Sequence, residues 1–325
     1  MEAVYDVLAA AHRGVFTRAQ ALAAGIGDRE LQWAVRVNVL VRLRRGCYSP
    51  APHYAAQDEI GRYLLLARAA IACQLGPVAL TSVTAAAVHG LDLYQQDLGV
   101  VHLVRLDAGS SRNEMGIRHH RLTHDIAADV KLVDGFPVVS PARAVWEVAS
   151  GSSLEAGVCT ADSALRRWPD LRNDLLTVGG TFGRRPGSRT ARMAMQLADG
   201  RAGSVGESLS RVLFYRHALP CPELQHHVHS SLGQLLAITD FYWPECRHVG
   251  EFDGKVKYAA LLREGETPGD VVFREKRRED DIRATGRGVT RWTWADLTPG
   301  SSAALVHRLR SDLDRSRRLY VRSSA

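Results

Sequence analysis

The sequence predicts a multidomain α/β protein, with an N-terminal winged helix-turn-helix, an α/β middle region and a C-terminal α/β domain built on a mixed sheet. A chain of 325 residues is too long for one ordinary domain. Its first fifty-odd residues contain three short helical patterns followed by the alternating segment VRLRRGCYSP. From Ser204 onward, helical and strand periodicities alternate. We place the domains at residues 1–56, 57–203 and 204–325.

Composition favours a nucleic-acid partner inside the cell. The net charge of +7 comes mainly from arginine, whose guanidinium makes bidentate contacts with phosphate and with guanine edges. The five cysteines show no CxxC pair, which argues against a disulfide scaffold and a structural zinc site. We see neither a basic-then-apolar leader nor an apolar run of membrane-spanning length. The sequence therefore predicts a cytoplasmic protein without a membrane partner.

Capping residues indicate where two of the N-terminal helices begin. Thr17 is suited to cap the segment TRAQALAAG, and Asp28 is suited to cap DRELQWAVRVNVL. On this third helix, one face carries polar and aromatic side chains at i, i+3, i+4 and i+7 spacing: Arg29, Gln32, Trp33 and Arg36. Leu31, Ala34 and Val35 lie towards the opposite side, where a core is expected. A polar, arginine-bearing face on such a helix is what reading of the major groove requires.

A hairpin rich in arginine follows the third helix. Val41 and Leu43 alternate with Arg42 and Arg44, and Arg45-Gly46 forms the turn before the return strand. Arginines on this wing would lie on the phosphates. We expect Arg29, Gln32, Arg36, Arg42, Arg44 and Arg45 to contact DNA. The alternative is a winged helix that contacts another protein, with its arginines as ordinary solvated charges.

The middle region shows alternating helix and strand patterns without the spacing of a catalytic constellation. His119, His120 and His124 fall in the segment SSRNEMGIRHHRL and its continuation. Three histidines this close could ligate a metal, but the basic composition favours a surface loop.

A hairpin in the C-terminal third brings acidic residues together. With Glu245 and Cys246 as the central turn residues, Asp240 lies directly opposite Glu251, and opposed Cβ atoms are about 4.5–5.5 Å apart. Because side chains alternate along a strand, Asp253 and Lys255 project from the same face as Glu251. Opposed like charges destabilise a sheet unless a cation lies between them.

Mg²⁺ is the cation that such carboxylates would hold, and Mn²⁺ is the alternative. Lys255 would then neutralise charge that develops on a phosphate or orient a water. The other interpretation is a solvated, charged sheet edge, and a register slip of one residue would remove the metal site.

Several segments carry a family resemblance. GESLSR, LPCPELQ, TDFYWPE, EFDGK and REDDIRATGRGVTRWTWADL resemble the PD-(D/E)xK nuclease superfamily, and within it the domains related to very-short-patch repair endonucleases. The N-terminal half, with LTSVTAAAVHGL and DGFPVVSPARAV, resembles the AbiEi-type antitoxin domain. The resemblance implies a restriction-endonuclease-like C-terminal domain.

The resemblance also implies roles for individual residues. Asp240 corresponds to the metal-binding aspartate, whereas either Glu251 or Asp253 serves as the acidic residue of the (D/E)xK element. Glu207 and Gln225 occupy positions where this family places further site residues. Their structural alternatives are a charge at a helix N-terminus and an exposed strand residue. Lys276 and Arg283 would touch phosphates if their helix borders the cleft, and are otherwise part of a solvated face.

Two functions follow, from different classes. The first is a metal-dependent DNA endonuclease that uses Mg²⁺ or Mn²⁺, guided to DNA by the winged helix. The second is a non-catalytic antitoxin that represses its own operon, with a toxin protein as partner. A homodimer would allow both strands to be cut. An RNA-directed nuclease is less favoured because few aromatic residues are clearly exposed.

Overall fold

A computed structural model describes residues 2–107, 113–114, 116–120, 126–254 and 268–321. The chain forms two compact units, one made of Met1–Thr160 with Leu171–Arg192, the other of Ala161–Asp170 with Met193–Ala325. The predicted first domain and most of the predicted middle region fall in the first unit, and the division into three domains stays a prediction. None of the helices described is long and apolar enough to cross a lipid bilayer.

The start of the first unit is a helix-strand region. Its elements are α1 (Glu2–Ala11), β1 (Phe16–Thr17), α2 (Arg18–Ala23), α3 (Asp28–Arg36), β2 (Leu40–Arg44) and β3 (Cys47–Pro50). The strands form an antiparallel sheet in the order β1-β3-β2. Phe16, Leu31 and Leu40 are buried in the core between helices and sheet. The Thr17 hydroxyl caps α2 as predicted, accepting a hydrogen bond from the Gln20 N–H at 3.2 Å.

A six-stranded sheet follows the helix-strand region in the first unit. Its strands are β4 (Val78–Leu80), β5 (Val101–Arg105), β6 (Asn113–Glu114), β7 (Ile117–His120), β8 (Val130–Val133) and β9 (Phe136–Val139). They lie in the order β6-β7-β5-β4-β9-β8, with β5 parallel to β7 and β4 parallel to β9. The other three neighbouring pairs, β4 with β5, β6 with β7 and β8 with β9, are antiparallel, so the sheet is mixed.

Further helices follow β3 in the part of the chain that the structure describes, and the division between the two units falls within two of them, Leu154–Arg167 and Ser188–Leu197. The helices are α4 (Ala51–Ala55), α5 (Glu59–Ala72), α6 (Ser82–Val88), α7 (Pro141–Gly151), α8 (Leu154–Arg167), α9 (Leu171–Phe182) and α10 (Ser188–Leu197). Pro141 occupies the first turn of α7, where its missing N–H costs nothing, and the Ser140 hydroxyl accepts from the Arg143 N–H. Alanine and valine on α7 are almost fully buried, so this helix is a central part of the first unit.

The second unit contains a four-stranded mixed sheet. Its elements are α11 (Val205–Arg216), β10 (Glu223–His229), β11 (Leu235–Trp243), β12 (His248–Asp253), α12 (Pro268–Ala284), β13 (Gly288–Thr293) and α13 (Ser302–Ser316). In the order β10-β11-β12-β13 the first three strands are antiparallel neighbours, and β13 is parallel to β12. The pattern from Ser204 onward predicts a helix, a strand, a hairpin, a helix and a strand, and these elements occur in this order.

The alternation in GVTRWTWADL predicts one final strand that reaches Leu297, with Trp292 and Trp294 in the core, and two details of this prediction are wrong. The last strand ends at Thr293 and a 3₁₀ helix (Trp294–Leu297) follows, because the Asp296 carboxylate accepts the Thr293 N–H at 2.9 Å and caps the turn. Trp294 was expected in the core but is 40% exposed. Trp292 is buried as expected, and its indole N–H donates to the Ser210 hydroxyl at 2.8 Å.

Candidate functional site

On α3, the residues predicted to contact DNA are exposed and lie on the side away from the buried residues, as their spacing predicted. Arg29, Gln32 and Arg36 are exposed, whereas Leu31 and Ala34 are 1% and 0% exposed. Exposure of this row leaves two guanidinium groups and an amide available to a ligand. These are the side-chain types that hydrogen-bond to base edges and phosphates.

The hairpin of β2 and β3 supplies the second part of this face. Arg42 and Arg45 are exposed, and Gly46 has a φ of +75°, which permits the tight turn. Arg44 is half-buried, and a Cβ added at Gly116 would lie 3.4 Å from its Nη1 atom. Arg44 therefore lies against the turn before β7, while its two neighbours are more exposed. We call Arg29, Gln32, Arg36, Arg42, Arg44 and Arg45 together the cationic surface.

Arg18 joins the two parts of the cationic surface. Its guanidinium donates to both carboxylate oxygens of Asp28, with Nε–Oδ1 at 2.6 Å and Nη2–Oδ2 at 2.5 Å. Its backbone N–H donates to the Gly46 carbonyl at 2.7 Å. One residue thus links the start of α3 to the hairpin turn. Sequence reasoning missed this role, because nothing in the spacing of Arg18 and Asp28 pairs them.

Asp28 differs in detail from its predicted role. Gly27 is the N-cap of α3, and Asp28 is the first helical residue. The hydrogen bond from Arg18 is the main cause that lowers the pKa of Asp28 below its usual value. The Gly27 N–H donates instead to the Glu30 carboxylate at 2.8 Å, which completes the N-terminal turn.

The register of the C-terminal hairpin is the predicted one. Phe241 pairs with Gly250 and Trp243 with His248, so that continuing the register places Asp240 opposite Glu251. Asp240 is half-buried, and its Oδ2 atom accepts the Phe252 N–H at 2.8 Å. The carboxylate of Asp240 is therefore held against the backbone of β12.

Glu207 and Gln225 are brought together, although they lie on different elements. Glu207 is 4% exposed, and its carboxylate accepts from the Gly203 N–H at 2.8 Å, the Ser204 hydroxyl at 2.9 Å and the Gln225 amide at 3.0 Å. Gln225 has a φ of +53°, a left-handed conformation that non-glycine residues seldom adopt. In this conformation the Gln225 amide reaches Glu207 on α11.

The ladder between β10 and β11 connects Gln225 to the hairpin. Leu224 pairs with Phe241 and His226 with Thr239. Gln225 and Asp240 are the residues between these partners on their respective strands. Gln225, Asp240 and Glu251 therefore occupy neighbouring positions on β10, β11 and β12. The Gln225 amide is hydrogen-bonded to Glu207.

The negative charge of Glu251 is compensated by two arginines, which the sequence did not predict as its partners. Its Oε1 atom lies 2.9 Å from Nη2 of Arg278, and its Oε2 atom lies 2.9 Å from Nη2 of Arg291. The side chain is 11% exposed, so these charges interact in a partly dehydrated environment. Glu275 and Glu279 extend the network, at 3.5 Å from Arg291. Opposed carboxylates are therefore balanced here by guanidinium groups.

These carboxylates do not fit a divalent cation in their present arrangement. Both oxygens of Glu251 face arginines, and one oxygen of Asp240 is occupied by a backbone N–H. Throughout the ranges that the structure describes, no three His, Cys, Asp or Glu side chains are grouped so that they could hold a metal ion. Asp253 is half-buried at the end of β12, and Lys255 lies outside the described residues. The Mg²⁺ or Mn²⁺ site stays a prediction.

The two cations predicted on α12 differ in their surroundings. Lys276 is exposed. Arg283 donates to the Glu279 carboxylate at 2.8 Å and to the Val289 carbonyl at 3.3 Å. Arg283 therefore uses some of its N–H groups in hydrogen bonds within the protein. Lys276 is the more accessible of the two cations.

Two of the three histidines expected on a surface loop, His119 and His120, lie instead in a strand. His119 is 1% exposed in β7, and His120 is half-buried beside it. His102 Nδ1 and His120 Nε2 lie 2.9 Å apart. His124 lies outside the described residues. The parallel pairing of β5 with β7 brings His102 and His120 together, which local sequence could not indicate.

Known proteins resemble this chain in its N-terminal region and over most of its length. Residues 5–51 match the family described as transcriptional regulator, AbiEi antitoxin. Two Mycobacterium tuberculosis proteins, the uncharacterized proteins MT2308 and Rv2248, are each 30% identical over 77% of this chain and 92% of their own length. The crystal structure of the M. tuberculosis protein RV2827C aligns with a TM-score of 0.39 and 16% identity, over 69% of this chain and 87% of that one. The chain belongs to the family of MT2308 and Rv2248, and it begins with an AbiEi antitoxin-type regulator region.

Proposed function

We propose that this protein is a DNA-binding transcriptional regulator of the antitoxin type, which represses its own operon and is paired with a toxin protein. The observation that carries the proposal is the position of the cationic surface. All six of its residues lie within residues 5–51, which match the AbiEi antitoxin regulators.

The geometry supports a winged-helix mode of binding. In such domains the recognition helix enters the major groove, and its exposed residues contact base edges. Arg29, Gln32 and Arg36 are exposed on α3 and suit this role. Arg42 and Arg45 on the hairpin would neutralise phosphates, which adds affinity without sequence information.

The experiment is a binding measurement on the DNA upstream of the protein's own gene. Fluorescence anisotropy would compare the natural protein with Arg29→Gln/Arg36→Gln and with Arg42→Gln/Arg45→Gln. The matched control is Arg184→Gln/Arg189→Gln, which removes two exposed arginines outside the cationic surface. We expect the α3 variant to lose preference for this DNA over an unrelated duplex.

The hairpin variant should weaken binding to both duplexes alike. It should also flatten the dependence on salt, by about 0.9 in the log–log slope for each phosphate that the variant no longer neutralises. Equal affinity of all three variants and the natural protein would contradict the proposal.

Assembly belongs to the same proposal. A homodimer would match two half-sites about one helical turn apart, roughly 34–36 Å, which is how dimeric regulators read DNA. Light scattering on the free protein and on its DNA complex would check this: one protomer per complex would contradict the dimer. Co-purification with the product of the adjacent gene, when the two are expressed together, would test the toxin partner.

A second candidate function is hydrolysis of DNA phosphodiester bonds by the C-terminal domain, with Mg²⁺ or Mn²⁺. The observations that favour it are the helix–hairpin–helix–strand order and the alignment of Gln225, Asp240 and Glu251 across the sheet. The ion pairs of Glu251 argue against it, because a metal would have to compete with two arginines.

Incubation of supercoiled plasmid with the protein in Mg²⁺, Mn²⁺ or EDTA distinguishes the two functions. Metal-dependent nicking that disappears in Asp240→Ala/Glu251→Ala would establish the nuclease. If the plasmid stays intact while the natural protein and Asp240→Ala/Glu251→Ala both bind DNA tightly, the nuclease function is excluded for this substrate and the regulator function is favoured.

A further inference from the structure

A cavity of about 610 Å³ lies in the first unit, and no residue of the cationic surface lines it. Its lining includes two histidines, two arginines and two carboxyl groups from several elements and their flanks: His102, His120, Arg118, Arg185, Asp97 and Glu147. Its volume is within the range of about 300–1,000 Å³ that small-molecule sites occupy. A space of this size, with histidine, arginine and carboxyl groups around it, needs a chemical explanation.

The two histidines supply a neutral donor and a neutral acceptor. His102 Nδ1 lies 2.9 Å from His120 Nε2, so one ring donates to the other. Burial is the main cause that lowers the pKa of His102 to about 3 and that of His120 to about 4. Both rings are therefore neutral at pH 7. Of the two ring nitrogens outside this hydrogen bond, one carries a proton and can donate, and the other can accept a hydrogen bond.

The wall formed by α6 and α7 is held in a strained conformation. Ser82 has a φ of +51°, which costs energy for a residue with a Cβ. The Glu147 carboxyl accepts the Ser82 N–H at 2.8 Å and also the Thr81 hydroxyl. Gln95, another lining residue, has a φ of +51° as well. Two strained backbones around one cavity are typical of sites that are preorganised for a ligand.

Two arginines and the exposed Asp97 carboxylate line the cavity, so cations outnumber exposed carboxylates at its rim. Arg118 is exposed and Arg185 is half-buried. The charge of Arg118 contributes to lowering the pKa of both His102 and His120, so its electric field acts within the cavity. Guanidinium groups bind the oxygens of phosphate in bidentate fashion.

We propose that this cavity binds a phosphate monoester of nucleotide size, with Arg118 and Arg185 on the phosphate and the His102–His120 pair hydrogen-bonded to the uncharged part of the ligand. Phosphate alone would leave most of the volume unfilled. The ligand is either a free mononucleotide or the phosphorylated end of a nucleic-acid strand, because both carry the same chemistry. The site goes beyond the proposed regulator function and does not depend on the cationic surface.

Calorimetric titration of the full-length protein tests the proposal. The probes are the four ribonucleoside 5′-monophosphates, inorganic phosphate, the unphosphorylated nucleosides, and a dinucleotide with and without a 5′-phosphate. We expect binding by at least one monophosphate, weaker binding by inorganic phosphate and none by nucleosides. Preference for the phosphorylated dinucleotide would identify a strand end, and preference for the mononucleotide a free ligand.

Variants locate the site. Arg118→Gln and Arg185→Gln should each weaken binding about tenfold, the worth of one charge-assisted contact. Arg184→Gln is the matched control, since Arg184 is exposed next to Arg185 and does not line the cavity. Melting temperatures within a degree or so of one another would show that the arginine variants remain folded.

The histidine pair provides a second measurement. Because both rings are neutral at pH 7 and hydrogen-bond to the uncharged part of the ligand, His120→Gln should weaken binding of the monophosphate and leave binding of inorganic phosphate unchanged. Absence of heat with every probe at millimolar concentration, or equal weakening by Arg184→Gln, would overturn the proposal.

Discussion

The Arg18 guanidinium and the Asp28 carboxylate form a bidentate ion pair, and the backbone N–H of the same arginine binds the Gly46 carbonyl at 2.7 Å. The start of α3 and the turn of the hairpin are thereby fixed to one residue. The side chains of this ion pair are about half exposed. Its contribution to stability is therefore small, and its effect is on orientation.

We predict that Arg18→Gln weakens specific DNA binding while the melting temperature changes little. Arg18→Lys should weaken it also, because an ammonium group cannot bind both carboxylate oxygens in parallel. The exchanged pair Arg18→Asp/Asp28→Arg should recover part of the loss. Anisotropy with specific and unrelated duplexes measures the effect, and a large fall in melting temperature for Arg18→Gln would show that the ion pair acts on folding instead.

A second prediction concerns Glu251. Removing its charge by Glu251→Gln leaves Arg278 and Arg291 close together in a partly buried place, so the protein should lose about 2 kcal/mol of unfolding free energy. Glu245→Gln is the control, because that side chain is 82% exposed. Urea unfolding in the presence of EDTA measures both.

The sign of the Glu251 result is informative about the proposed metal site. In a metal site measured without its metal, loss of one of several crowded carboxylates relieves repulsion and stabilises the protein. In an ion-pair network the same substitution destabilises it. A more stable Glu251→Gln variant would therefore contradict the arrangement with two arginines and favour the nuclease.

The hairpin shows how far the sequence could determine the site. The turn at Pro244–Arg247 sets the register, and the observed pairing of Phe241 with Gly250 confirms it. Similarly, spacing alone separated the exposed residues of α3 from its buried ones. Both predictions rest on local geometry, in which a fixed period determines the direction of each side chain.

The contacts that could not be predicted join residues that are far apart in the sequence. Arg278 and Arg291 belong to α12 and β13, and they reach Glu251 only because those elements flank β12. The contact of Gln225 with Glu207 likewise joins residues of two elements, 18 residues apart in the sequence. The pairing of Arg18 with Asp28 is of the same kind.

A third prediction concerns two cysteines. Cys47 begins β3, Cys73 follows α5, and their sulfur atoms are 3.4 Å apart. A disulfide bond measures about 2.05 Å, so a small approach of the side chains would suffice. With hydrogen peroxide, the two thiols should lose two protons and two electrons and the peroxide should become water. Cys73 is exposed and would be oxidised first, after which Cys47 attacks.

Mass spectrometry after mild oxidation should show a peptide that joins Cys47 to Cys73, and the intact protein should become lighter by the mass of two hydrogen atoms. Cys73→Ser should abolish this product. Cys221→Ser is the control, because Cys221 is also exposed. Overoxidised Cys73 without the joined peptide would contradict the prediction.

The fourth prediction is a pH dependence of stability that originates at His248. This side chain is 1% exposed, with Nδ1 at 2.8 Å from the Ser316 hydroxyl and Nε2 at 3.0 Å from the Thr290 hydroxyl. Thr290 donates its own proton to the Asp312 carboxylate at 2.6 Å. Its oxygen must therefore accept from His248, so the proton of the neutral ring is on Nε2 and Ser316 donates to Nδ1.

Burial lowers the pKa of His248 to about 4. Asp312 raises this pKa, and Arg283 and Arg315 lower it further. Since the unfolded chain has a pKa of about 6.5, the unfolded state binds the proton more tightly. The stabilisation is fully present above about pH 6.5 and is lost as the pH falls towards 4. Its full size is about 3 kcal/mol.

Urea unfolding at pH 7 and pH 5 should show that the natural protein loses more stability than His248→Asn does. Comparison of the two proteins is necessary because His102 and His120 in the first unit also have lowered pKa values and contribute a similar dependence. His307→Gln, which alters an exposed histidine of α13, should behave like the natural protein. An identical loss in all three proteins would show that His248 is already protonated in the folded state, and would exclude the assigned hydrogen-bond chain from Ser316 to Asp312.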